Sequence, residues 1–237
     1  MVLRKEYATR QSKARKIISI LKDYFGDLNE EWTCLDVGCG SGDITIELSR
    51  HFKTTIGLET KFGTFRKSSP SQNSIGLFYL QADGLRIPVP DESVEITICA
   101  QVYEHVIDPQ ALIQEIWRIL KPHGVCFFSG PNKWAIMEEH YWLPFLSWIP
   151  GPITNLYMRA FKRGTIYDIK PMGYWALRTL VKRFKIIDYS TKMIKNPDKY
   201  SMSDFSRASE MIRHIPEPIL RVLRPFFPNF NWILVKQ

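Results

Sequence analysis

The stretch Leu35-Asp36-Val37-Gly38-Cys39-Gly40-Ser41-Gly42-Asp43 restricts the fold of this 237-residue chain more than any other. Glycines at alternate positions let the backbone turn sharply and come close to a ligand, because no Cβ stands in the way. The amphipathic pattern that opens at Asp43 reads as a helix, whose first N–H groups lack partners and suit a negatively charged group. Dinucleotide sites, however, space their glycines Gly-x-Gly-x-x-Gly and set the helix against a pyrophosphate. Here position 43 is Asp, whose charge repels a pyrophosphate. Glu59 ends the next strand, where an acid accepts hydrogen bonds from ribose hydroxyls. Asp83 follows the third, where a carboxylate can receive an adenine amino group. An adenosine-bearing ligand without phosphates fits the set.

The surrounding pattern is strand alternating with helix. Residues 10–25 place Ile17, Ile18, Ile20, Leu21, Tyr24 and Phe25 at helical spacing, within an N-terminal segment taken as 1–30. Strands are expected at Trp32–Val37, Thr54–Leu58, Ile75–Gln81, Val94–Ala100 and Val125–Ser129, and helices at Asp43–Phe52 and Asp108–Leu120. Pro109 suits the first turn of the second helix, with Ala111, Leu112, Ile116 and Ile119 facing inward; Lys121-Pro122-His123-Gly124 ends it. Strands apolar throughout argue a parallel sheet covered on both faces. After the aromatic stretch that follows, a helix near Gly173–Arg183 and strands at Phe184–Tyr189 and Asn231–Lys236 resume the rhythm. The two strands suit a hairpin at one sheet edge.

Composition narrows the setting. Hydrophobic residues are 45% and aromatics 13% of the chain, enough for one globular domain, 1–237, with a sizeable core. Cys34, Cys39, Cys99 and Cys126 lack metal-ligand spacing, and three of them lie in strand-like apolar runs, so buried free thiols in a reducing compartment are expected. The N-terminus lacks the apolar segment of a secretory signal, and no apolar run is long enough to span a bilayer. A soluble, cytoplasmic protein follows, with peripheral contact to a membrane left open. A net charge of +8 permits nucleic acid or an anionic membrane as partner, although the basic residues are dispersed and read equally well as a solvated face.

The rhythm breaks at 133–172. Trp134, Tyr141, Trp142, Phe145, Trp148, Tyr157 and Phe161 crowd this insertion, together with prolines. Three readings stand: a lid over an apolar acceptor, an interfacial element with Lys133, Arg159, Lys162 and Arg163 meeting anionic headgroups, or additional core.

The segments LDVGCGSG (35–42), the acid Glu59, QADGLRIPVPDESVEITICAQVYEHV (81–106) and RILKPHGVCFFSGPN (118–132) together resemble the class I S-adenosylmethionine-dependent methyltransferases of the small-molecule type. The resemblance implies an α/β, Rossmann-like seven-stranded sheet of order 3-2-1-4-5-7-6 with strand 7 antiparallel. S-adenosylmethionine would be the cofactor. Gly38, Gly40 and Gly42 would line its methionyl arm, Asp36 would orient its amino group and Glu59 would bind the ribose. Asp83, with Ala82 and Gly84, would hold the adenine, and Gln101 and Val102 would face the sulfonium. Glu95 replaces the Asp usual at the start of the fourth strand, a position read as structural.

Two histidines are candidates for catalysis, because a hydroxyl acceptor must lose a proton. His105 follows the fourth strand. Similar O-methyltransferases of the ubiquinone pathway carry Glu-x-x-Glu-His there and hold a divalent cation with it. This chain has Gln101-Val102-Tyr103-Glu104-His105, an amide in place of the first carboxylate, so no metal is expected. His140 lies in the insertion, in Glu138-Glu139-His140-Tyr141-Trp142; an imidazole titrates near neutrality and can serve as base. A bond to nearby backbone for His105, and a cap or surface position for His140, are the structural alternatives. The expected activity is methyl transfer to a small-molecule or lipid-linked acceptor, most readily at oxygen. A nucleic-acid methyltransferase and a non-catalytic cofactor-binding protein are the competing classes. Against the former, Ala100-Gln101-Val102-Tyr103 replaces the Asp/Asn-Pro-Pro-aromatic run of base-amino methylation, and no cysteine follows a proline.

Overall fold

The computed structural model describes residues 2–61, 76–138, 140–202, 212 and 214–237, without the side chains of residues 2–9. Ile75, named above as the start of a strand, and Glu139 lie outside them, as does Met1.

Seven strands form one sheet: β1 (Thr33–Val37), β2 (Thr54–Glu59), β3 (Leu77–Gln81), β4 (Val94–Ala100), β5 (Leu120–Pro131), β6 (Lys185–Asp188) and β7 (Asn229–Val235). Their order is β3-β2-β1-β4-β5-β7-β6. β7 runs antiparallel to both its neighbours, whereas β1 to β5 pair in parallel. The order and the antiparallel strand are those expected. The C-terminal pair stands at one sheet edge, as expected, with β7 joined to β5 and β6 outermost. Burial explains the placement, since every β7 residue from Phe230 to Val235 is buried, whereas β6 is half-exposed.

Side chains alternate between faces along a strand, and the two cores follow that alternation. Leu35, Cys99, Phe128 and Trp232 pack with Leu112, Ile113 and Ile116 of α3 (Pro109–Ile119) and with Tyr174 and Leu177 of α4 (Tyr174–Leu180). Their immediate neighbours Cys34, Ile98, Phe127 and Ile233 face the opposite layer, where Ile17, Ile20 and Leu21 of α1 (Val2–Phe25) cover them. Fully burying one such aliphatic side chain is worth about 1.5–3 kcal/mol, so the stripe at 17, 20 and 21 fixes α1 on the sheet. Cys34, Cys99 and Cys126 are buried and unpaired, and Cys39 is half-buried.

Local chemistry sets the element ends. Asp108 caps α3, its Oδ1 accepting from the N–H groups of Gln110 and Ala111 at 3.0 Å, which is worth about 1 kcal/mol. Ile113 is buried and Ala111 only half-buried, a small rotation from the expected face. The helix after the glycine loop, α2 (Asp43–Leu48), stops four residues short of Phe52. Ser49 Oγ donates to the Ile46 carbonyl and the N–H of Arg50 reaches back only to Glu47, so the last turn tightens and ends. Residues 121–124 form the expected break, but as a bulge within β5: the register with β4 steps from Val94↔Leu120 to Ile96↔Val125. Glu95 is structural, accepting from the Thr33 N–H at 2.9 Å and pairing with Lys121. No helix among the described residues is long and apolar enough to cross a membrane.

Candidate functional site

The carboxyl ends of β1, β2 and β4 meet at the glycine loop. Gly38, Gly40 and Gly42 all take positive φ, at 68°, 55° and 80°. A Cβ on Gly38 would stand 2.7 Å from Cγ2 of Val102, whereas one on Gly40 would meet nothing within 4 Å and point into open space. The N–H groups of Gly38 and Cys39 both donate to the Leu58 carbonyl, at 2.8 and 3.0 Å, and that of Gly40 donates to Oε2 of Glu59 at 3.0 Å. β2 thus fastens the loop. Beneath it Asp36 is 3% exposed and accepts from Thr45 Oγ1 at 2.7 Å. Burial, with the nearby charge of Glu59 adding to it and the Thr45 bond opposing it, pushes the Asp36 carboxyl up to about 7.

Two cavities share the wall formed by Gly38 and Gln101. The larger, about 450 Å³, is lined by Glu59, Asp83, Gly84, Val102 and His105 among others. Glu59 Oε1 also accepts from Thr60, through its N–H at 2.8 Å and its hydroxyl at 2.9 Å. Asp83 makes a turn of its own, Oδ1 accepting from the Leu85 N–H at 2.9 Å. Of the residues expected here, Ala82 packs instead against the core and Gly42 faces Tyr79. Sequence reasoning missed the hydrophobic wall of Leu58, Leu85, Val106 and Ile107.

The second cavity, about 250 Å³, lies between the glycine loop and α1, with Arg10, Lys13 and Lys16 on its rim. Arg10 Nη1 is 3.0 Å from Oδ2 of the buried Asp43, beside Ser41. Those cations read from sequence as a solvated face; their i, i+3, i+6 spacing on one side of α1 was the available signal.

Gln101 stands where β4 ends, at φ 61°, a left-handed conformation that disfavours a residue with a Cβ. Its N–H donates to the Ser129 carbonyl at 2.8 Å and its amide to Asn229 at 3.2 Å. Strain of this kind concentrates at functional sites, and here it holds the turn that carries Val102 to His105. His105 and His140 lie edge-to-face, ring centroids 5.6 Å apart at 88°. Burial, and then the neighbouring His140, lower the pKa of His105. Nδ1 of His140 is 2.9 Å from Oε1 of Glu138, which is 3% exposed and also accepts from the Tyr141 N–H.

The segment after β5 is anchored beside this site. Lys170 N–H donates to the Glu104 carbonyl at 3.0 Å, Met172 N–H to Tyr103 Oη at 3.2 Å, and Tyr103 Oη to the Pro131 carbonyl. Its own core is small: Leu143, Leu146 and Met158, flanked by tyrosines. Additional core therefore accounts for few of its apolar residues. Trp142 is 67% and Leu156 68% exposed, and Phe145, Trp148, Ile153 and Phe161 are exposed too.

Residues 35–128 match the methyltransferase domain family. The ubiquinone biosynthesis O-methyltransferase of Rickettsia prowazekii is 27% identical over 161 residues, 65% of this chain and 62% of that protein. The protein of the same name from Coxiella burnetii is 31% identical over 102 residues, 42% of this chain and 43% of its own length. This chain therefore matches less than two thirds of either relative. Among solved structures, the geranyl diphosphate C-methyltransferase of Streptomyces coelicolor, in complex with S-adenosylhomocysteine, has the same fold. The TM-score is 0.55 at 15% identity, covering 96% of this chain and 76% of that one.

Proposed function

We propose that the chain, whose residues 35–128 match the methyltransferase domain family, is a class I S-adenosylmethionine-dependent methyltransferase that transfers the cofactor's methyl group to a hydroxyl oxygen of a small or lipid-linked acceptor. One observation carries the reading. The 450 Å³ cavity is lined by the two acids Glu59 and Asp83 and also by Gln101, Val102 and His105, so one cavity offers acids for an adenosine and an imidazole for an acceptor.

In this assignment Glu59 holds the ribose, Asp83 and Gly84 the adenine, with Ala82 packed behind them. Gly38, Gly40 and Gly42 shape the path of the methionyl arm, and Asp36 faces its ammonium from below. The chain's residues hold the donor and position the acceptor, which is where much of the acceleration of an in-line displacement comes from. When bound, the cofactor would supply an activated methyl group: the acceptor oxygen would bond to the methyl carbon as the carbon–sulfur bond breaks, and that electron pair would stay on sulfur to give S-adenosylhomocysteine. The hydroxyl proton passes to the His105–His140 pair and then to water. The lowered pKa of His105 keeps its imidazole neutral, and able to accept, at pH 7.

The chain is read as one domain, with 133–172 as a lid on the acceptor side. Exposed Trp142, Trp148, Leu156 and Phe161 accompany exposed Lys133, Arg159, Lys162 and Arg163, which suits an acceptor presented at an anionic membrane surface. Calorimetric titration with S-adenosylhomocysteine tests the donor site. Binding is expected in the wild type and is expected to be strongly weakened in Glu59→Ala and Gly40→Val; unchanged binding in both variants would sink the assignment. Labelled methyl transfer into lipid and metabolite extracts then identifies the acceptor, label in the organic phase supporting a lipid-linked one.

A further inference from the structure

The second cavity, between the glycine loop and α1, extends further than the proposed donor reaches. It runs from Gly40 and Ser41, after β1, past Gln101 at the end of β4, to Ser129 on β5 and Asn229 on β7. Those strands lie side by side in the order β1-β4-β5-β7, and a spacing of about 4.8 Å between neighbours makes the span roughly 14 Å. A methionyl arm is no longer than two extended residues, about 7 Å. An arm placed over Gly38 and Gly40 ends short of Ser129 and Asn229, so that end is open to a second ligand.

The charge of the cavity is one-sided. Arg10, Lys13 and Lys16 face a single acid, Asp43, which Arg10 matches at 3.0 Å. Lys13 is exposed and has no hydrogen-bond or ion-pair partner among the described residues, and Lys16 is half-buried. A cleft lined by one sign of charge concentrates counter-ions. The donor does not supply that counter-charge, because its sulfonium and ammonium outnumber its one carboxylate. The end at β5 and β7 also offers hydrogen bonds. Ser129 is 5% exposed, and its hydroxyl has no partner among the described residues. Nε2 of Gln101 donates to Oδ1 of Asn229 at 3.2 Å, which fixes both amides on the wall.

We propose that the methyl acceptor is anionic, and that its carboxylate or phosphate group seats in this cavity at the ends of β4, β5 and β7, drawn by Lys13 and Lys16 and hydrogen-bonded by Ser129. The inference rests on the proposed function, whose substrate class it names. Gln101 lines both cavities, so an acceptor anchored here extends past Gln101 toward the side that His105 lines. A lysine ammonium is a point charge that takes carboxylate and phosphate alike, and the test therefore uses one probe of each kind.

Inorganic phosphate and benzoate are titrated by calorimetry into protein saturated with S-adenosylhomocysteine, at about 0.15 M salt to screen the dispersed surface cations. Saturable uptake of one equivalent of at least one probe is expected, and the tighter probe tells carboxylate from phosphate. The double variant Lys13→Gln, Lys16→Gln should weaken that uptake by roughly tenfold or more, with S-adenosylhomocysteine affinity within about twofold of wild type. Arg15→Gln, an exposed cation of α1 outside the cavity, should leave both unchanged. Uptake of neither probe by the loaded protein overturns the proposal, as does uptake indifferent to the double variant. Competition between probe and S-adenosylhomocysteine, with the latter weakened in the double variant, would assign these cations to the donor's carboxylate and overturn it equally. Protein that binds a probe but not S-adenosylhomocysteine would overturn the proposed function, and the acceptor's place here with it, while leaving an anion site. In labelled methyl transfer into extracts, the product should be retained on an anion exchanger at neutral pH; label confined to the neutral fraction overturns the proposal.

Discussion

The glycine-loop edge, proposed to hold the methyl donor, and the 133–172 segment, proposed to cover the acceptor, are built differently. Around the glycine loop, backbone bonds from β2 fix each turn, and Asp36 and Asp43 are buried within hydrogen-bonded or ion-paired settings. The 133–172 segment instead has a core cluster of three buried apolar side chains and leaves large aromatics facing water. A site that must accept one unchanging cofactor can be assembled from strand ends, whose positions the sheet dictates. A surface proposed to select the acceptor is carried on a segment that only touches the sheet, where it can change without disturbing the donor. Substitutions on the two sides should therefore separate cleanly in cofactor affinity.

Gly40→Val is expected to have the largest effect. The new Cβ meets no protein atom within 4 Å, so the penalty has two sources: backbone strain of about 1–2 kcal/mol at positive φ, and obstruction of the space in which the methionyl arm is placed. S-adenosylhomocysteine affinity should fall by ~100-fold or more in calorimetry. A loss no greater than about tenfold would mean that strain alone acts and that the ligand passes elsewhere. Next comes Glu59→Ala. It removes a charged acceptor as well as the brace on the Gly40 N–H, and a hydrogen bond to a charged group is worth about 1.5–3 kcal/mol, hence roughly a 10–150-fold loss. The 2′-deoxy analogue of S-adenosylhomocysteine, which lacks the ribose 2′-hydroxyl, should be less sensitive to this substitution if Glu59 reads the ribose.

These two positions were legible in the sequence, and the reason is geometric. Gly38, Gly40, Glu59 and Asp83 all sit at the ends of strands whose apolar runs mark them, and parallel pairing brings those ends to one edge. Contacts that depend on the path of an irregular segment were not legible. The 5.6 Å approach of His105 and His140 has no sequence period, because it is set by Lys170 and Met172 tying the insertion back to Glu104 and Tyr103. The early stop of α2 depended on one serine hydroxyl, and the position of Arg10 over the loop on how α1 docks. Even the strand order was available only through the resemblance; the residues alone suggested a pair at the edge.

Asp36 sharpens the donor side further, with a smaller effect. Its folded pKa, about 7, is raised above the ordinary 3.8 by burial. The unfolded chain therefore binds fewer protons than the native one between those values, and this group's contribution to stability falls as pH rises from about 4 to about 7. Cofactor binding should run the opposite way. A sulfonium and an ammonium favour the carboxylate, so S-adenosylmethionine binding expels its proton below pH 7. Affinity should rise by up to about tenfold per unit from pH 6 to 7 and level off above. Asp36→Asn should flatten that profile; a wild-type profile already flat would place the cofactor's cations away from this carboxylate.

The smallest effect on the donor is expected from the double variant Trp142→Ala, Leu156→Ala. Both side chains are about two-thirds exposed, so their removal leaves no cavity, and stability should stay within about 0.5 kcal/mol of wild type. S-adenosylhomocysteine affinity should stay within about twofold, because neither residue lines either cavity. What should change is retention on vesicles containing anionic lipid. Truncating an indole and an isobutyl group removes apolar area that inserts between headgroups, at about 25 cal/mol per Å², and leaves Arg159, Lys162 and Arg163 in place. Sedimentation with anionic vesicles should fall several-fold, and the wild type's retention should weaken with salt because those cations share the contact. Equal retention of variant and wild type would break the division at its weaker end, leaving the exposed aromatics to act only as the inner wall of a closing lid.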